Sequence, residues 1–168
     1  ARLHRVWKAT GQRASGIALP GLLPQAGFGS AITGFSNKEL DDLRRLQETE
    51  TGGRRRGRNL LRQRLIDGDM AMQIAADPIL EWCREVQAMT RKQTGSLTMG
   101  ELTEYWQRGQ QRQVARWANT QGPVDVIRLT LGRLHWTWPR PWVMGNDLQQ
   151  ELDLTIASPR LVKWHLKE

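Results

Sequence analysis

Six arginines lie close together in the first half of the chain, with no acidic residue among them. They fall between Glu50 and Asp67, the nearest acids on either side: Arg54, Arg55, Arg56, Arg58, Arg62 and Arg64. A guanidinium group stays charged at physiological pH and can donate two parallel hydrogen bonds to phosphate oxygens. This arginine cluster therefore predicts contact with the phosphate backbone of RNA or DNA. The alternative is a solvated surface whose arginines pair with the flanking acids Glu48, Glu50, Asp67 and Asp69.

The net charge of the chain is concentrated in the part that holds this cluster. The 168 residues include 25 Lys or Arg and 17 Asp or Glu, a net charge of +8, and 20 of the 25 cations are arginine. Residues 1–66 hold 13 of the cations and five of the acids, whereas residues 67–168 hold 12 of each. The whole positive excess therefore belongs to the first two fifths of the chain, which favours a polyanionic partner there.

The other residues that could do chemistry do not form a recognisable catalytic site. His4, His135 and His165 lie far apart and lack the spacing of zinc ligands. Cys83 is the only cysteine; it excludes a disulfide framework, lies at helical spacing among apolar residues, and is expected to be buried. The low cysteine content indicates an intracellular protein of the cytoplasm or nucleus. No phosphate-binding loop, dinucleotide motif or nucleophile elbow is present, so we predict no catalytic residue, no metal and no cofactor.

One acidic turn leaves a metal-dependent alternative open. Asp67 and Asp69 flank Gly68, and Asp77 follows nearby. Two carboxylates on a turn could hold Mg²⁺ and serve a small enzyme. An Asp-Gly-Asp sequence also forms turns for backbone reasons alone, and that is the interpretation we prefer.

The chain has eight tryptophans, and two interpretations apply to them. Trp82 and Trp106 lie on apolar faces of predicted helices and are expected in the core. Trp136, Trp138 and Trp142 lie in a strand interrupted by prolines. Large rings there commonly cover a small sheet, but exposed rings could stack on bases or form a surface for a protein partner.

An uncharged stretch of 24 residues, 14–37, raises the question of a membrane span. It contains five glycines and two prolines and offers no continuous apolar surface. We therefore expect a buried, glycine-rich loop that leads into a packed helix, and no membrane partner.

Start signals place most of the remaining chain in helices. Residues 36–39 and 98–101 have the spacing of capping boxes, and Asp77-Pro78, Gly122-Pro123 and Ser158-Pro159 place proline in a first helical turn. Pro24 is expected to start a helix through Ile32. The second capping box precedes apolar positions at 102, 105 and 106 and, after a Gln/Arg-rich stretch, at 114 and 117. Residues 142–144 and 152–155 flank a Gly-Asn-Asp turn and predict a hairpin.

The fold class we predict is therefore mainly α, a bundle-like helical segment with a small C-terminal β-hairpin and a final helix. The charge and pattern divide it into a basic helical part (1–66), a second helical part (67–134) and a tryptophan-rich hairpin with its helix (135–168). The chain begins with Ala1 and ends within a predicted helix, so we expect a segment of a longer protein.

The order of several short motifs resembles a known family. Residues 23–30 (LPQAGFGS) are followed by the Leu-Arg-Arg-Leu run 43–46, by 77–86, by 122–125, by 131–139 (LGRLHWTWP), and by 154–159. This order is similar to the region downstream of the polymerase core in reverse-transcriptase-bearing retroelement open reading frames of single-celled algae. The likeness concerns the spacing of short motifs over most of the chain.

The resemblance implies a thumb or connection region that grips template and primer behind a polymerase active site. The rest of the polyprotein, an RNA-directed DNA polymerase of a retrotransposon, would then be a partner. No catalytic residue is implied for this segment, because the Tyr-x-Asp-Asp turn is absent: the only tyrosine, Tyr105, precedes Trp106 and Gln107. The alternative function is a helical adaptor module that binds a protein partner through an aromatic surface.

Overall fold

The computed structural model describes residues 27–50, 69–93, 95, 97–148 and 150–166. Within these ranges there are six α-helices: α1 (Ser30–Thr33), α2 (Asn37–Glu50), α3 (Met70–Thr90), α4 (Met99–Gln111), α5 (Pro123–Arg133) and α6 (Pro159–His165). A short 3-10 helix spans Trp117–Asn119. Three short strands lie between α5 and α6: β1 (Thr137–Arg140), β2 (Val143–Gly145) and β3 (Glu151–Asp153). They form one antiparallel sheet in the order β1-β2-β3. This confirms the mainly α fold with a small C-terminal sheet and a final helix.

The chain divides into two compact units, and the boundary falls inside α3. Of the described residues, 27–28, 35–50 and 69–75 belong to the first unit, and 29–34 and 76–166 belong to the second. In the first unit, Leu40 and Gln47 of α2 are buried, and the Gln47 side-chain oxygen accepts a hydrogen bond from the Met70 backbone N–H at 3.0 Å. The three-part division predicted from composition stays a prediction.

Three helix starts follow the capping signals in the sequence. The Ser36 hydroxyl accepts from the Glu39 N–H, and the Glu39 carboxylate accepts from the Ser36 N–H at 2.7 Å. Thr98 and Glu101 form the same reciprocal pair at the start of α4, and these hydrogen bonds lower the pKa of Glu101. The Ser158 hydroxyl accepts from the Leu161 N–H at the start of α6. Each of these caps satisfies N–H groups that a helix leaves unpaired at its first turn.

Helix α3 corrects one sequence expectation, because it begins at Met70 and not at the Asp77-Pro78 pair. Asp69 precedes it, and its Oδ1 accepts from the N–H groups of Ala71 and Met72 at 2.9 and 3.2 Å. Pro78 lies inside the helix and is itself buried. The buried stripe continues across it, from Ile74 to Trp82, and packing of that stripe outweighs the hydrogen bond that proline removes.

The Asp77 carboxylate does not cap a helix and instead forms a hydrogen bond within the second unit. Its Oδ2 accepts a hydrogen bond from the Ser30 hydroxyl at 3.0 Å. Burial raises the pKa of Asp77, and the hydrogen bond from Ser30 partly opposes that rise. The helix expected from Pro24 to Ile32 is much shorter among the described residues: Gly29 has φ 79°, and α1 begins after it.

The core of the second unit is built from α3, α5 and the sheet. Trp82 packs edge-on against Trp138 with ring centroids 5.1 Å apart, and its indole N–H donates to the Pro141 carbonyl at 2.6 Å. Trp138 also meets Trp106 edge-on at 6.2 Å. The expected burial of Trp82 and of Cys83 is confirmed, and Trp106 is half-buried.

Candidate functional site

The six arginines of the cluster, Arg54, Arg55, Arg56, Arg58, Arg62 and Arg64, lie outside the described residues. So does Asp67. Asp69, which belongs to the same acidic turn, is described, and both of its carboxylate oxygens accept hydrogen bonds from the protein. Its Oδ1 caps α3, and its Oδ2 accepts from the Arg44 side chain at 3.2 Å. Among the described residues there is no group of three metal-ligating side chains, and Asp69 acts as a cap and ion-pair partner.

A second set of arginines surrounds a cavity in the second unit, between the end of α4 and the start of α5. The cavity has a volume of about 170 Å³ and is lined by Tyr105, Arg108, Gly109, Arg112, Gln121, Gly122, Val124 and Asp125. This group was not predicted from the sequence. A signal was present: two arginines four residues apart, one in the last turn of α4 and one just past its end, and an acid in the first turn of the next helix.

Two glycines allow the walls of this cavity to approach each other. A β-carbon on Gly109 would lie 2.2 Å from Val124 Cγ1 and 2.6 Å from Val124 Cβ, so α4 and α5 meet backbone against side chain. A β-carbon on Gly122 would lie 2.9 Å from the Tyr105 hydroxyl oxygen. The Gly109 contact is closer than any side chain larger than hydrogen permits, whereas the Tyr105 hydroxyl lies at the far end of a half-exposed side chain that can shift. The cavity is therefore held by tight packing of a helix pair.

Asp125 is the buried charge of the site. Its side chain is 1% exposed. Oδ2 accepts from the Gln121 backbone N–H at 2.9 Å and lies 3.6 Å from Arg112 Nη1. The second oxygen, Oδ1, is buried and receives no hydrogen bond within the described structure. A buried carboxylate oxygen without a donor costs free energy, so this atom is primed to accept a hydrogen bond.

The guanidinium groups around Asp125 are anchored in different ways. Arg128 Nη1 donates to the Gly109 carbonyl at 2.9 Å and to the Arg112 carbonyl, which satisfies carbonyl groups at the end of α4. Arg108 pairs with Glu104 one turn earlier in α4. Arg112 is 47% exposed, and its 3.6 Å separation from Asp125 is an ion pair too long for a hydrogen bond. The N–H groups of Arg112 therefore stay available to an acceptor in the cavity.

The residues that line the cavity thus include one buried acceptor and two arginine donors. Asp125 supplies the acceptor, Arg108 and Arg112 supply donors, and Tyr105 supplies a half-exposed ring with a hydroxyl. This arrangement suits a small group that carries an N–H donor next to an oxygen acceptor. It does not suit a simple anion, because the Asp125 carboxylate would repel it.

The tryptophans of the sheet are part of the core. Trp136 and Trp138 are each 9% exposed, and Trp142 is half-buried. Two of the three rings on which the adaptor alternative was based, Trp136 and Trp138, are therefore covered by the protein itself and are not exposed for stacking on bases.

Cys83 lies too deep for nucleophilic chemistry. Its thiol is buried, accepts a long contact from the Gln87 amide, and donates to the Ala157 carbonyl at 3.5 Å. Burial raises the pKa of the Cys83 thiol to about 11. At neutral pH the group is a protonated thiol, which is a poor nucleophile.

Two further findings bear on the class of protein. In the part of the chain that the structure describes, no helix has both the length and the apolar character needed to cross a membrane. No protein-family model matches the chain, and neither the curated proteins nor the solved structures contain a match to it.

Proposed function

We propose that this chain is a non-catalytic nucleic-acid-binding segment that holds the phosphate backbone of RNA or DNA through its arginine cluster. In this proposal it acts as a thumb or connection region in the polyprotein of a retroelement reverse transcriptase, as the order of its motifs suggests. Phosphate contacts position a nucleic acid without reading its bases. Binding should therefore depend steeply on salt and very little on duplex sequence.

The observation that supports the proposal is the lack of acids near the cluster. Five described arginines form ion pairs with carboxylates, and in four of these pairs an acid lies three or four residues away: Arg44 with Asp41, Arg45 with Asp42, Arg84 with Glu81, and Arg108 with Glu104. In the cluster, Arg55, Arg56, Arg58 and Arg62 have no acid within four positions on either side. A carboxylate three or four residues away, as those four described arginines have, is not offered to them by the sequence.

The proposed phosphate contacts predict how strongly the binding constant depends on salt. Each phosphate that an arginine neutralises releases condensed counterions into solution. Six such contacts give a slope of log K against log salt of roughly −4 to −5. The affinity for a 20-mer duplex would then fall by roughly a thousandfold to ten-thousandfold between 50 and 300 mM salt.

The test compares two double variants with the same loss of charge. Arg55→Gln/Arg56→Gln removes two arginines of the cluster, and Arg45→Gln/Arg84→Gln removes two that already pair with carboxylates on their own helices. We expect the first to weaken duplex binding about tenfold to a hundredfold at 100 mM salt and to reduce the salt slope by about 2. The second should change affinity by less than about threefold.

Two results would overturn the proposal. One is a duplex affinity that is unchanged between 50 and 300 mM salt. The other is an equal loss in both double variants, which would mean that total charge, and no particular surface, governs binding. Circular dichroism and thermal unfolding of each variant establish that the fold is retained.

A further inference from the structure

We infer that the cavity between α4 and α5 binds the Watson–Crick edge of one unpaired guanine base, with Asp125 as the acceptor for its N–H groups. This rests on the proposed function, which supplies the reason to choose a nucleobase among ligands of suitable edge chemistry. The cluster would hold the backbone, and this cavity would add a preference for one exposed base.

The polarity of the cavity favours a ligand edge that carries both N–H donors and an oxygen acceptor. Asp125 Oδ1 is buried and has no donor within the described structure, so a ligand that presents N–H groups there gains a hydrogen bond to a charged acceptor. Arg112, with its N–H groups 3.6 Å or more from Asp125, can donate to a carbonyl oxygen beside those N–H groups. The cavity therefore selects an edge with donors at one end and an acceptor at the other.

The same edge chemistry separates guanine from the other bases. Guanine carries two adjacent donors, N1–H and the N2 amino group, next to the acceptor O6. Uracil has a single N–H between two carbonyls, and one of those carbonyls would face the carboxylate. Adenine and cytosine place a ring nitrogen lone pair where Asp125 needs a donor. Only guanine matches without placing two acceptors against each other.

The size and shape of the cavity suit a single base. At about 170 Å³ the cavity is smaller than the roughly 300–1,000 Å³ typical of drug-sized ligands, so it suits a single planar ring system with the sugar outside. Tyr105 lines it with an aromatic ring that is 42% exposed. Unpaired bases commonly stack on such rings and on guanidinium planes while their Watson–Crick edge is hydrogen-bonded.

Mononucleotides test this without involving a polymer. Guanosine, inosine, adenosine and cytidine 5′-monophosphates share one ribose and one phosphate, so their differences report the base alone. We expect ligand-observed NMR on the 168-residue chain, at fixed ionic strength, to give binding of the guanosine nucleotide about tenfold tighter than of the adenosine or cytidine nucleotide. Inosine lacks only the N2 amino group and should bind with intermediate affinity.

Protein variants then locate the preference. Arg112→Gln should remove most of the preference for the guanosine nucleotide, because the shorter, uncharged glutamine amide replaces the charged donor to O6. Arg116→Gln has the same charge change four residues further on, does not line the cavity, and should leave the preference unchanged. Asp125→Asn, with its fold verified by thermal unfolding, should abolish the difference between guanosine and inosine nucleotides.

The inference is overturned if the four nucleotides bind equally well, if none of them binds, or if the preference survives Arg112→Gln. These results are independent of the duplex-binding test of the proposed function. The bases of a 20-mer duplex are paired and do not expose the edge that the cavity would contact. If duplex binding fails while the guanosine nucleotide is still preferred, the phosphate-binding proposal is wrong and the base site remains.

Discussion

The arginine cluster and the arginines of α4 use the same side chain in two different settings. In α4, Arg108 pairs with Glu104 one turn away, and Arg112, just past its end, faces the buried Asp125. In the cluster, four of the six arginines have no acid within four residues. The first setting places each guanidinium group beside a particular carboxylate of the second unit. In the second setting the sequence offers no local carboxylate to these four arginines, and we propose that phosphate takes that place.

The positions of acidic residues matter as much as net charge when a basic protein is interpreted. Net charge indicates that a polyanion is attracted, but the positions of the carboxylates indicate which cations are available to it. Residues 67–168 carry 12 cations and are nevertheless neutral overall. A fixed arginine beside a buried carboxylate contributes selectivity for a particular edge, whereas an arginine without a local acid contributes affinity that salt reduces.

The largest effect is expected where α4 and α5 approach most closely, because that contact holds the second set of arginines in place. Gly109→Ala would place a β-carbon 2.2 Å from Val124 Cγ1 and force the two helices apart. We expect the free energy of unfolding, measured by urea denaturation, to fall by about 3 kcal/mol.

Gly132→Ala is the matched control for that change. Gly132 also lies in a helix and is exposed, and a β-carbon there would meet no neighbouring atom within 4 Å. Alanine should therefore raise stability by about 0.5–1 kcal/mol. Equal stability of the Gly109→Ala variant and the original chain would mean that α4 and α5 are loosely packed and do not hold Arg112 beside Asp125.

Helix starts in both units could be predicted from sequence because their signals are local. The boxes at Ser36 and Thr98 and the cap at Ser158 use side chains within three residues of the groups they satisfy. The start of α3 could not be predicted this way. Asp77 resembles a cap, but its carboxylate is taken by Ser30, 47 residues away along the chain.

The candidate site shows the same limit. The sequence reveals the arginine cluster because its six members are close neighbours along the chain, whereas the cavity gathers residues from two helices and a connecting loop. Asp125 is an ordinary first-turn acid in sequence, and only folding makes it a buried carboxylate beside Arg112. Strand β1, which contains Pro139, was likewise visible as extended chain but not as the edge of a three-stranded sheet.

The second-largest effect concerns pH and tests how well the core of the second unit excludes water. The pKa of Cys83 is raised from about 9 to about 11 by burial, so the folded protein holds this proton more tightly than the unfolded chain. The stabilising contribution is complete below about pH 9 and is lost as the pH rises toward 11. We expect a loss of about 2 kcal/mol over that interval.

Cys83→Ala supplies the comparison, because the variant lacks the thiol and retains every other group that titrates in alkali. The difference between the two denaturation series, measured at pH 8, 9, 10 and 11, should shrink with rising pH. A constant difference would mean that the thiol is accessible to water in the folded protein.

A smaller effect is expected at the end of α5, where the backbone needs a glycine that the sequence does not supply. His135 has φ 55°, and the Trp136 N–H donates to the Leu131 carbonyl at 2.9 Å, which is the pattern of a Schellman motif. His135→Gly relieves the left-handed strain and should raise the free energy of unfolding by about 0.5–1 kcal/mol. Lys92 at φ 52° ends α3 in the same manner, so Lys92→Gly should show a gain of similar size in thermal unfolding.

The smallest effect tests whether pairing with a nearby carboxylate is what prevents a helix arginine from binding phosphate. Glu81→Gln leaves Arg84 without its partner on α3. Both side chains are more than half exposed, so stability should change by less than about 0.5 kcal/mol. Duplex affinity should rise by less than about threefold, because a single added cation contributes at most one phosphate contact. A tenfold rise or more would contradict the comparison, because Arg84 without its acid would then contribute as much to duplex affinity as an arginine of the cluster. The placement of the acids would in that case matter more than the position of the arginines.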